Sequence, residues 1–76
     1  MMSKSEIDRL WMDLKPVPGA KFKLNDNVIF IDNDFANKVG AVISLIELLP
    51  EPVYIVELLE PPYGDIKIKE TSLEKA

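Results

Sequence analysis

Asn27-Val28-Ile29-Phe30-Ile31-Asp32 … Lys38-Val39-Gly40-Ala41-Val42-Ile43 decides the reading of this chain. An apolar, β-branched run, a polar connection and a second run opened by a lone mid-chain glycine predict two adjacent strands. The connection, Asp32-Asn33-Asp34-Phe35-Ala36-Asn37, is rich in the Asn and Asp side chains that close Asx turns. Downstream, Val53-Tyr54-Ile55-Val56 and Ile66-Lys67-Ile68 repeat the strand signal. Working outward, the first strand is expected to start at Phe22–Leu24 and run through Ile31, and the second to span Gly40–Leu49. The third is expected over Val53–Glu60 and the fourth over Asp65–Glu70. Pro50-Glu51-Pro52 and Pro61-Pro62-Tyr63-Gly64 separate them, since proline cannot donate to a ladder. Thr71-Ser72-Leu73 suits a short 3₁₀ turn, and the last three residues are expected to fray.

The N-terminal stretch has a different period. Ile7, Leu10, Trp11 and Leu14 follow the i, i+3, i+4, i+7 spacing of one apolar helix face. Ser3 and Glu6 are spaced as a capping box, with Ser5 an alternative cap. Lys15-Pro16-Val17-Pro18-Gly19 is expected to end the helix. A helix of about ten residues is too short to stand alone in water, so it must dock. The expected organisation is one domain: a helix over 1–15 packed on a barrel over 20–76.

Alternation sets the strand faces. In the fourth strand Ile66 and Ile68 face in, and Asp65, Lys67 and Lys69 face out. In the third, Tyr54, Val56 and Leu58 form one face and Ile55, Glu57 and Leu59 the other. The first two strands are apolar on both sides: Val28/Phe30 compete with Ile29/Ile31, and Val42/Ile46/Leu48 compete with Ile43/Leu45. Both faces of such strands are covered, one by the barrel interior and the other by the helix stripe or a second subunit.

Composition narrows the chemistry. The 76 residues contain no cysteine and no histidine. Disulfides, thiolate or imidazole metal sites and Cys/His or Ser/His/Asp catalysis are therefore excluded. The net charge is −4, and residues 39–76 carry all of the excess, with three basic against seven acidic side chains. Arg9 is the single arginine, so bidentate phosphate and guanine readers are nearly absent. No secretory leader and no membrane span of about 20 apolar residues is expected, and a cytoplasmic location is expected.

Asp26-Asn27-Val28-Ile29-Phe30-Ile31, Val39-Gly40-Ala41-Val42, Tyr54-Ile55-Val56-Glu57-Leu58 and Ile66-Lys67-Ile68-Lys69 with Leu73 together resemble the SH3-like small β-barrel pattern. The likeness is to small bacterial barrels with a KOW- or Tudor-like strand order, many of them uncharacterised, and covers residues 22–74. It implies a mainly β fold: a partly open, SH3-like five-stranded barrel with a short N-terminal α-helix. It also implies a binding or accessory role, as in ribosome- and polymerase-associated modules. The chain departs from these families at their binding residues. The loop at 32–37 is acidic where KOW modules are basic, and a Tudor-type aromatic cage would have only Phe35, Tyr54 and Tyr63 to draw on. Trp11 lies on the helix, which argues against a proline-peptide groove.

The expected function is a non-catalytic protein-binding or accessory module, with no cofactor. Its contact surface is expected to combine Phe35, Tyr63, Glu57, Glu60 and Asp65 and to suit a basic protein partner. Ile7, Leu10, Trp11 and Leu14 are the expected docking face of the helix. Asp32, Asn33, Asp34 and Asn37 lack the register of a calcium loop and read as turn formers. Asp26 with Asp32 or Asp34 has no nucleophile or metal to make an acid/base pair useful. The alternatives are a nucleic-acid module using Lys21, Lys23, Lys38, Lys67 and Lys69, and a structural homo-oligomer, with a homodimer its simplest form.

Overall fold

In the computed structural model, which describes residues 2–76, an N-terminal helix precedes five antiparallel strands. Helix α1 spans Lys4–Met12, and the strands are β1 (Asn27–Phe30), β2 (Val39–Glu47), β3 (Val53–Leu58), β4 (Gly64–Lys69) and β5 (Leu73–Lys75). Short 3₁₀ turns at Asn33–Phe35 and Glu70–Ser72 join β1 to β2 and β4 to β5. The strand order is β4-β3-β2-β1-β5. Ile68 from one edge strand and Leu73 from the other enter one core with Val28, Phe30, Val42, Tyr54, Val56 and Leu58. The sheet therefore curls around that core, while its edges β4 and β5 do not pair with each other. The fold is mainly β and open on one side.

Helix α1 begins as its local sequence dictates. The Ser3 hydroxyl accepts from the Glu6 N–H and the Glu6 carboxylate accepts from the Ser3 N–H, both at 3.2 Å. It ends sooner than the proline signal suggests. The Leu14 N–H donates to the Trp11 carbonyl and the Lys15 N–H to the Leu10 carbonyl, with Leu14 left-handed at φ 60°. This is a Schellman cap with leucine where glycine is usual. Leu14 is thereby turned off the docking stripe and is half exposed, whereas Trp11 is buried and Ile7 and Leu10 pack against the core.

Strand β2 settles the competition between its two apolar faces by adopting neither. Its register with β3 slips between Val42 and Ser44 and again between Leu45 and Glu47. Each bulge inserts one residue, so the inward positions fall three apart rather than two. Val42, Leu45 and Leu48 pack on the core, and Ile46 is left exposed. At the start of the strand Gly40 is buried between its partners Val28 and Leu58. A Cβ there would overlap Val56 Cγ1 and lie 2.9 Å from the Glu57 carbonyl oxygen and 3.3 Å from Phe30. Close approach, not backbone freedom, requires the glycine.

Two expectations at the chain's ends of order change. Phe22 to Leu24 form no strand; a turn closed by the Asp26 carboxylate on the Lys23 N–H at 2.9 Å, with Asn25 at φ 72°, precedes β1. The 3₁₀ turn ends at Ser72, and Leu73 with Glu74 and Lys75 pairs with Phe30–Val28 as β5, so the last residues do not fray: the Ala76 N–H also donates to the Asn27 carbonyl.

Tyr54, the second residue of β3, is fully buried and joins the separate parts. Its ring stacks on Trp11 at 6.2 Å and meets Phe22 edge-on at 5.7 Å. Its hydroxyl donates to Glu70 at 2.6 Å and accepts from the Phe22 N–H at 3.3 Å. The same Glu70 oxygen accepts from the Lys21 N–H at 2.8 Å. Burial, reinforced by the bond to Glu70, pushes the Tyr54 pKa well above its usual 10.

Gly40→Ala is expected to lower unfolding stability by about 1–3 kcal/mol, read from urea titration, because the added methyl meets backbone as well as Val56. Alkaline pH should destabilise the protein through Tyr54. The native state keeps the phenolic proton where the unfolded chain has lost it, so stability is intact below about pH 10 and falls as pH rises above it. Urea midpoints between pH 8 and 11 should show a fall that is shallower in Tyr54→Phe, a variant less stable at pH 7 by about 1–2 kcal/mol.

Candidate functional site

Strand direction collects several of the expected contact residues at one end of the sheet. β1 leaves and β2 enters there, and β3 leaves and β4 enters beside them, so the 31–38 loop and the 59–63 turn are neighbours. The Asn37 N–H donates to the Phe30 carbonyl at 2.7 Å and the Leu59 N–H to the Val39 carbonyl at 3.0 Å. Glu60 crosses between the two segments. One of its carboxylate oxygens accepts from the Val39 N–H at 2.8 Å, and the other lies 3.9 Å from the Lys38 ammonium.

The predicted contact residues divide by the work they do. Tyr63 is 70% exposed at the tip of the β3–β4 turn. Glu57 and Asp65 are exposed and directly opposed across β3 and β4. The Glu70 N–H bonds to the Pro52 carbonyl, which fixes the phase of the β3–β4 ladder. Residues 57 and 65 therefore form a non-hydrogen-bonded pair, the closer of the two kinds. Among the described residues neither carboxylate has a cationic partner within salt-bridge distance. Glu60, by contrast, is spent on holding the loop. Phe35 is partly buried, its ring 5.8 Å from Phe30, and serves mainly to anchor its loop to the core.

The sequence reading missed Ile31 and Leu59, which are 47% and 48% exposed at this same end. The signal lay in their position as the outward-facing, terminal apolar residues of two-sided strands. It also missed an apolar cleft of about 390 Å³ at the other end, between α1 and the close of β2, lined by Met2, Ile7, Pro18, Leu48 and Leu49. The Asn33 side chain accepts from the Phe35 N–H at 2.8 Å as an Asx turn, and Asp32 accepts from the Ser72 hydroxyl. Asp26, Asp32 and Asn33 are thus engaged in local structure. No group of three Asp or Glu suited to a metal occurs among the described residues. The lysines of the nucleic-acid alternative are dispersed: Lys38 faces Glu60, Lys69 lies 3.6 Å from Glu51, and Lys67 shares its strand face with Asp65. No helix among the described residues is long and apolar enough to cross a membrane.

Comparison with protein-family models, curated proteins and solved structures finds no match to this chain.

Glu60→Ala is expected to cost about 0.5–1.5 kcal/mol, because the Val39 N–H loses its acceptor and the loop its tie. Glu57→Ala, which breaks no bond and relieves a like-charge pair, should be neutral or stabilising by a few tenths of a kcal/mol in the same urea assay.

Proposed function

We propose that this chain is a non-catalytic protein-binding module, an SH3-like barrel acting in the cytoplasm, which docks a basic surface of a larger protein at its 31–38/59–63 end. The observation that carries the reading is the Glu57–Asp65 pair beside an exposed aromatic ring. Two unpaired carboxylates placed opposite each other repel, and a cationic partner relieves that repulsion on binding. Tyr63, Leu59 and Ile31 add apolar contact area around the charge. Rigid aromatic anchors flanked by charge are the usual source of binding energy at protein interfaces. A small, open, curled antiparallel sheet in the order β4-β3-β2-β1-β5 supports the SH3-like reading.

The test is affinity capture from the native host with the wild-type chain, Glu57→Lys and Tyr63→Ala in parallel, followed by measured affinities for the captured protein. A basic protein should be retained by wild type, lost with Glu57→Lys, and weakened at least about tenfold between 50 and 500 mM salt. Equal capture by all three chains, or retention of short RNA at low salt with no protein, overturns the reading.

A further inference from the structure

The barrel is open, and the edge that leaves it open carries a pattern of its own. Among the described residues β4 pairs only with β3, and its other side faces no strand. The register of that pair, with the Glu70 N–H bonded to the Pro52 carbonyl, fixes which groups are used. Gly64, Ile66 and Ile68 fall in the hydrogen-bonded positions opposite Leu58, Val56 and Tyr54, so their N–H and C=O groups point to β3. The N–H and C=O groups of Asp65 and Lys67 therefore point outward along the free edge. A free edge is a template for another strand.

Lysines on an edge normally discourage pairing. Here Asp65 precedes Lys67 on the same face, which makes the row complementary to itself read backwards. We propose that the free edge of β4 pairs antiparallel with the same edge of a second copy of this chain, in a register centred on Ile66.

The charge sequence selects that register. A two-fold axis at Ile66 sets Asp65 of each copy against Lys67 of the other, and the outward N–H and C=O groups of these residues form the new ladder bonds. The two Ile66 side chains meet at the axis on the inner face, where each is already half-buried against its own core. Moving the axis to Lys67 would oppose the two Lys67 ammonium groups. Odd shifts would set inward against outward side chains and are excluded by the pleat. The occupant is thus a second copy, because the edge supplies both halves of its own complement, as a two-fold interface requires. The result is one continuous ten-stranded sheet. Of the opposed carboxylates at the partner site, Glu57 lies on β3 outside the new ladder and only Asp65 enters it, so the dimer is a contact beyond the partner-binding reading.

Sedimentation velocity of the full chain at about 50–500 μM, the range suited to a small edge-to-edge contact, should show mass rising to twice 8.6 kDa. Lys67→Pro should stay at the monomer mass with an unchanged circular dichroism spectrum, because the N–H it removes makes no bond to β3. Lys67→Asp should weaken dimerisation at least about tenfold by opposing like charges. Asp65→Lys combined with Lys67→Asp should restore the dimer, since the pair is only exchanged. A wild-type chain that stays monomeric at 500 μM overturns the proposal. So does a folded Lys67→Pro that still dimerises, the result expected if the apolar residues around Leu49 were the contact. Should Lys67→Pro not fold, the charge-exchange pair decides: failure of the double variant to restore association overturns the proposal. Glu57→Ala, which removes half of the opposed pair at the partner site and adds no cation beside Asp65, should dimerise as wild type while losing partner affinity, so the two readings fail separately.

Discussion

The hydrogen bond from the Tyr54 hydroxyl to Glu70 is the constraint on which the rest of this small fold depends. A chain of 76 residues buries only about 60% of its unfolded surface, so no part can be left loosely attached. Tyr54 brings three otherwise separate pieces to one ring: the helix through Trp11, the segment before β1 through Phe22, and the β4–β5 turn through Glu70. The Glu70 carboxylate in turn holds the Lys21 N–H, and the Glu70 N–H is bonded to Pro52. A phenol in the core is normally a liability because its hydroxyl must find a partner. Here the partner is a carboxylate at the mouth of the open side. The charge stays near water while the bond it accepts is shielded.

That anchoring leaves the curvature of the sheet to β2, and β2 achieves it with bulges. A flat strand would present Val42, Ser44 and Ile46 to the core, one polar residue among three. Two inserted residues replace that set with Val42, Leu45 and Leu48 and increase the local twist. Gly40 does the complementary work at the other end of the strand, where Phe30, Val56 and the backbone at Glu57 close over it. The strand can bend only because it is tight at its start and irregular towards its end.

How much of this was legible follows from the range of each interaction. The capping box was legible because Ser3 and Glu6 are three residues apart and speak only to each other. The mainly β fold, the strand centres and the polar 32–37 turn were legible for the same reason. The inward set of β2 was not, because simple alternation cannot register a bulge that depends on the pairing partner. β5 escaped because Leu73-Glu74-Lys75 has one apolar residue, and its order comes from pairing with β1, far away in sequence. Leu14 fitted the helical stripe by spacing, but the cap bonds of Leu14 and Lys15 end the helix first. At the candidate site, the exposure of Tyr63 agrees with its place in a Pro-Pro-Tyr-Gly turn. The diversion of Glu60 to the Val39 N–H could not be read without the neighbouring strand.

Residues whose arrangement the fold itself explains are poor candidates for function, and applying that rule sharpens the site. Glu60, Asp26, Asp32 and Glu70 each accept a specific hydrogen bond, so their charges are accounted for by folding. Phe35 is accounted for by Phe30. Glu57 opposite Asp65 is different: the pair accepts none of the side-chain bonds or ion pairs of the described residues and places like charges face to face. Tyr63 and Leu59 expose apolar surface to water in the adjoining turn, with no compensating contact in the core cluster. Local rules broken without internal compensation are where function is to be sought in a protein that otherwise obeys them. The same logic favours the end of the sheet carrying Glu57 over the apolar cleft beside α1. That cleft follows from docking a short helix across a bulged strand, whereas nothing in the packing calls for two opposed carboxylates.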